Sequence, residues 1–216
     1  MTRLVLWRHG QTDYNVAGKV QGRVDIPLNE AGRAQAASAA PGLAALRPTA
    51  IVSSPLRRAR QTAEALSAVT GVDVRIDHGL VERSFGMWEG LGRARIEEGW
   101  PEQFAVWRAG GDPAGVGVET RGAAAARVGA ALERIAAAVG EATVVVVAHG
   151  AAITLGTTRL LGLDSSAWFG LRGLDNCRYA VLSSTARSPG WRLERWNSGE
   201  ERAGSGTGGA IGGFLS

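Results

Sequence analysis

The chain has 216 residues, 45% hydrophobic and 20% charged, with a formal net charge of +4 and a single cysteine. That is enough for one domain with a full core, and Cys177 alone excludes an intrachain disulfide or a multi-cysteine zinc site. The basic residues are mostly arginines interleaved with acids, as in Glu194-Arg195. No basic stripe points to a nucleic-acid partner. No run is long enough to span a bilayer and the start lacks a secretory pattern, so a cytoplasmic protein without a membrane partner is expected.

The first element is a short apolar run, Leu4-Val5-Leu6-Trp7, that breaks into Arg8-His9-Gly10-Gln11-Thr12. Its length and continuity predict a buried strand of a parallel sheet whose C-terminal end delivers Arg8 and His9 into a loop. A polar loop follows to Pro27, and Asn29 is placed to cap an alanine-rich helix toward Leu46, in which Pro41 should cause a kink or break. Ala50 to Ser53 reads as a second strand and Arg57 to Val69 as a helix closed by Gly71, with Arg58 in its first turn. Val72 to Ile76 alternates as a third strand, and Gly79 to Gly92 is irregular. Residues 93–118, broken by glycines and prolines and carrying Trp100 and Trp107, are expected to form a lid insertion.

Glu119 to Val139 has helical periodicity and feeds the apolar run Thr143 to Ala148, which ends in His149-Gly150 before a helix from Ala151 to Leu161. Asn176 to Ser183 and Trp191 to Trp196 predict two closing strands, the second at an edge. The pattern is α/β: a three-layer sandwich with a mostly parallel central sheet flanked by helices. It gives a domain over 1–197 and a flexible Gly/Ser-rich tail over 198–216.

Two strand-end histidines, one preceded by arginine, point to a phosphoryl-transfer site. A guanidinium forks onto phosphate oxygens and a neutral imidazole attacks phosphorus. The strand-helix junction at Gly150 adds a helix N-terminus, which favours anions. His78 lies outside these clusters and reads as a surface residue.

Four motifs stand in a fixed order: Arg8-His9-Gly10-Gln11-Thr12 with Asn15; Ser53-Ser54-Pro55-Leu56-Arg57-Arg58-Ala59-Arg60-Gln61-Thr62-Ala63; Glu82-Arg83-Ser84-Phe85-Gly86-Met87-Trp88-Glu89-Gly90; and Ala148-His149-Gly150. Together they resemble the histidine phosphatase superfamily. The resemblance implies that His9 is the nucleophile forming a phosphohistidine, and that Arg8, Arg58 and His149 surround the phosphoryl oxygens, His149 acting best as a cation. It also implies an acid in the segment of Glu82, with Glu89 as competitor, and phosphate or substrate contacts from Asn15 and Gln21, for which loop stabilisation is an equal alternative. Arg57, Arg60 and Arg83 are expected in solvated or salt-bridged roles.

The implied activity is a metal-independent, cofactor-free phosphatase for a small phosphorylated substrate such as a sugar or glycerate phosphate. Gln11 to Val16 and Trp191 to Asn197 are also similar, more weakly, to glucosyl-3-phosphoglycerate phosphatases. Phosphoglycerate mutase is the alternative within the superfamily; Ser84 and Phe85 replace the histidine and tyrosine of the mutase pattern. A non-catalytic phosphate- or nucleic-acid-binding protein is the alternative outside it. A homodimer is left open.

Overall fold

The computed structural model describes residues 1–199. Six strands form one sheet: β1 (Arg3–Arg8), β2 (Ala50–Ser53), β3 (Val74–Ile76), β4 (Thr143–Ala148), β5 (Tyr179–Ser184) and β6 (Trp191–Ser198), in the order β3-β2-β4-β1-β5-β6. β3, β2, β4 and β1 are mutually parallel, while β5 runs antiparallel between β1 and β6. The apolar runs are continuous because helices cover both faces of the central strands. Alternate residues of β1 enter opposite cores, Leu4 and Leu6 on one face and Val5 and Trp7 on the other.

On the Val5 and Trp7 face lie α2 (Glu30–Ala44) and α3 (Arg57–Thr70), which follow the short α1 (Asp13–Val16) in the loop after β1. On the other face lie α6 (Arg121–Val139) and α7 (Gly150–Leu160). Asn29 caps α2 by accepting the Gly32 N–H at 2.8 Å, and Gly71, at φ 71°, ends α3 in the left-handed conformation. Pro41 lies inside α2, which nevertheless continues to Ala44. So near the C-terminal end, a proline removes one hydrogen bond without ending the helix.

Residues 93–118 fold into α4 (Arg93–Gly99) and α5 (Pro101–Arg108) followed by a loop. Ile96, Phe104 and Val116 form a third apolar cluster with Val20, Phe85 and Trp88, and Ala151 of α7 packs against it. The segment thus has its own core, joined to the loops around the strand ends. Ser198 still belongs to β6, and the expected tail from residue 200 lies outside the described residues. No helix among the described residues is long and apolar enough to cross a membrane.

Candidate active site

The register of β1 on β4 pairs Arg8 with Ala148, so the next residues, His9 and His149, emerge side by side. Their ring centroids lie 5.2 Å apart with the planes tilted by 59°. The Nδ1 of His9 lies 2.7 Å from the Gly10 carbonyl oxygen. A carbonyl only accepts, so Nδ1 carries the hydrogen and Nε2 keeps a free lone pair. Burial, then the charges of Arg58 and Arg8, hold the His9 pKa well below its ordinary value. His9 is therefore a neutral imidazole.

Arg8, at the end of β1, donates through Nη1 to the Leu174 carbonyl. Arg58, in the first turn of α3, donates from Nη1 to Val24 O at 2.7 Å and from Nη2 to Gly22 O at 2.8 Å. Burial lowers the Arg58 pKa to about 10, against the opposing charges of Glu82 and Asp25, so it remains a cation at neutral pH. What these bonds leave over is informative: Arg8 Nε, Arg58 Nε and His149 Nδ1 are all buried without a protein partner. Each buried polar group left this way costs about 1–3 kcal/mol, which an anion accepting from all three would offset.

His149 departs from the cationic role expected of it. Burial, Arg58, His9 and Arg8 together push its pKa well below the ordinary value, so it is neutral in the free site. Its Nε2 lies 2.7 Å from Ser54 Oγ.

Glu82 is 8% exposed and folds back onto the start of α7. Its Oε1 accepts from Ala152 N at 2.8 Å and Arg83 N at 2.9 Å, and its Oε2 from Ala151 N at 3.2 Å. The first-turn amides of α7 thus hold this carboxylate, the favourable arrangement for a negative charge at a helix N-terminus. The fold brings Glu82 to the turn that carries His149, near enough that its charge acts on both Arg8 and Arg58. Gly150 lies against Arg8, whose Nε would be 3.7 Å from a Cβ placed there.

Asn15 and Gln21 are tied to Thr12. Asn15 Oδ1 accepts from Thr12 N at 3.1 Å in a capping box, and Gln21 Oε1 accepts from Thr12 Oγ1 at 3.0 Å. Glu89 faces a different task. Its Oε1 accepts from Arg23 N and Phe85 N, both at 3.0 Å, joining two loops. Arg83 is buried, paired with Asp112 at 2.6 Å, and stacked 4.7 Å from the Trp107 ring centre. Arg57, Arg60 and His78 are exposed.

Several supporting residues were not assigned roles from sequence. Asn176 Nδ2 donates to His9 O at 3.0 Å and Asn15 Oδ1 at 3.3 Å. Glu119 pairs with Arg127 at 2.8 Å and Arg23 at 3.2 Å, and both arginines also donate to the Glu82 carbonyl. Among the described residues, no three His, Cys, Asp or Glu side chains group so as to hold a metal ion.

The profile of the histidine phosphatase superfamily (branch 1) matches residues 4–199. Glucosyl-3-phosphoglycerate phosphatase of Mycobacterium tuberculosis is 40% identical over 210 residues, covering 91% of this chain and 94% of its own. Phosphoserine phosphatase 1 of Hydrogenobacter thermophilus is 32% identical over 190 residues, covering 87% and 89%. The solved structure of a mycobacterial glucosyl-3-phosphoglycerate phosphatase complexed with VO3 superposes with a TM-score of 0.83 at 40% identity, over 91% of this chain and 99% of that one.

Proposed function

Because this chain belongs to the histidine phosphatase superfamily and is a phosphatase, we propose that it hydrolyses phosphomonoesters of small metabolites through a phosphohistidine on His9. The observation that carries this reading is the neutral His9 with its free Nε2, set among three buried nitrogens that lack a protein acceptor. Nε2 attacks phosphorus as the bond from phosphorus to the ester oxygen breaks. Arg8, Arg58 and His149 receive the phosphoryl oxygens, whose charge they stabilise from buried positions.

In its carboxylic-acid form Glu82 donates its proton to the departing alkoxide, and the carboxylate so formed is the state that the first-turn amides of α7 hold. By microscopic reversibility its carboxylate then takes a proton from the water that attacks phosphorus, breaking the bond to Nε2 and releasing phosphate. Asn15 and Gln21 brace the loop after β1 through Thr12, which leaves their amide NH2 groups for substrate, and residues 93–118 cover the substrate as a lid. The two guanidinium groups supply the positive charge the transfer needs, so the reaction runs without a metal. A cytoplasmic location fits this reading.

The phosphorylated glycerates and their glycosides are the leading substrates, on the 40% identity to glucosyl-3-phosphoglycerate phosphatase over 91% of this chain. The test compares kcat/KM across glucosyl-3-phosphoglycerate, 3-phosphoglycerate, phosphoserine, sugar phosphates and nucleotides, with and without a chelator. A preference for the glycosylated glycerate, unchanged by chelation, is expected. Strong inhibition by the chelator overturns the metal-free reading, and phosphoryl transfer to a second glycerate in place of water identifies a mutase.

A further inference from the structure

Ser54 follows β2 directly and is fully buried. Its Oγ accepts from the Leu56 N–H at 3.4 Å and lies 2.7 Å from His149 Nε2. A hydroxyl has one hydrogen to give. The Leu56 N–H is itself a donor, so His149 Nε2 is the partner to which that hydrogen goes. Were Nε2 protonated instead, both the Ser54 hydrogen and the Nδ1 lone pair would be buried without a partner, against the single Nδ1 hydrogen left unmet in the other tautomer.

From this geometry we infer that Ser54 is a positioning residue, whose hydroxyl donates to Nε2 of His149 and so fixes the tautomer with its hydrogen on Nδ1, turned toward the phosphoryl group. The inference rests on the phosphatase reading. Nδ1 is the ring atom left without a protein partner, in a ring whose centre is 5.2 Å from that of His9. With the hydrogen there, His149 is a neutral donor to an oxyanion. The opposite tautomer would present a lone pair to that oxyanion and repel it.

This removes a difficulty of charge. Arg8 and Arg58 already flank the site, and both oppose a third cation beside them. A neutral donor contributes its hydrogen bond without that repulsion. The two imidazoles are thereby set in opposite tautomers, each by one neighbour: Gly10 O takes the Nδ1 hydrogen of His9 and frees its Nε2, while Ser54 supplies Nε2 of His149 and leaves the hydrogen on Nδ1.

The test is the long-range proton–nitrogen correlation spectrum of the full chain with nitrogen-15 histidine, free and with orthovanadate, His149 being assigned from the His149→Asn spectrum. The expected result is a hydrogen on Nδ1 of His149 in the wild type, lost or mixed in Ser54→Ala. The kcat for an aryl phosphate should fall on the order of 100-fold in that variant, with KM moving less than about threefold. A hydrogen on Nε2 in the wild type overturns the inference whether or not Ser54→Ala folds. So does an unchanged tautomer and rate in a folded Ser54→Ala. Failure of the wild type to hydrolyse any phosphomonoester would instead remove the phosphatase reading, and it is read from turnover, independently of the spectrum.

Discussion

The backbones of Gly10 and Gly32 approach so closely that a Cβ at Gly10 would stand 2.4 Å from the Gly32 carbonyl oxygen. The loop that carries His9 is seated on the first turn of α2, where Gln11 N donates to Gln35 Oε1 at 2.9 Å and Asn29 N donates to Gln11 O at 3.1 Å. Nothing larger than glycine fits between them.

Gly32→Ala decides whether this seat matters. In a helix, alanine in place of glycine ordinarily stabilises by about 1 kcal/mol. Here the new Cβ would lie 2.0 Å from Gln11 O, so we predict the opposite sign, a loss of about 1–3 kcal/mol. Turnover should fall with it, since the displaced loop carries the nucleophile. Urea unfolding measures the first effect and aryl phosphate hydrolysis the second; a stabilised, fully active variant would contradict the packing argument.

Glu82→Gln separates proton donation from charge. Alkyl phosphates need a proton on the leaving oxygen, whereas aryl esters with good leaving groups do not. The variant should lose on the order of 100-fold or more of its rate on alkyl phosphates and much less on activated aryl esters. Equal losses on both would move the acid elsewhere, with Glu89 the next carboxylate to replace. Glu89 is bonded to Arg23 N and Phe85 N, so its replacement is expected to act mainly on stability.

The buried imidazoles also set a pH dependence of stability. Burial, then the neighbouring guanidinium of Arg58, lowers both His9 and His149 well below the ordinary histidine pKa. Below about pH 6.5 the unfolded chain therefore binds more protons than the native one. Stability is whole above that pH and is lost as the pH falls below it, at up to about 1.4 kcal/mol per pH unit for each imidazole, until the native groups themselves protonate. Urea midpoints taken from about pH 7.5 to 5.5 measure this. His149→Asn should flatten the slope by one imidazole's share, and a flat wild-type profile would mean that the rings are not held neutral.

Much of the site was legible because it follows from strand ends. His9 and His149 each terminate an apolar run, and the parallel register of β1 on β4 brings them together. Arg58 and Glu82 were marked by the company they keep in the second and third motifs. What was not legible depends on which distant segments meet. Gly32 looks like an unfavourable residue in an alanine-rich helix until the loop at Gln11 is seen against it. Ser54 lies in the second motif, yet its bond to His149 spans 95 residues of sequence. The neutrality of His149 is likewise a consequence of burial beside Arg58, which no local pattern encodes. Pro41 does not end α2, because a proline's effect on a helix depends on how many turns follow it.

The most direct measurement mixes enzyme with substrate, quenches in alkali on the millisecond scale and weighs the intact protein and its peptides. The account predicts one phosphoryl group, on Nε2 of His9, that appears before steady state and decays to inorganic phosphate, and a His9→Ala protein that forms no adduct and loses at least about 1000-fold in rate. Steady hydrolysis with no adduct, or with His9→Ala still active, would mean that water attacks the ester directly and that His9 is not the nucleophile.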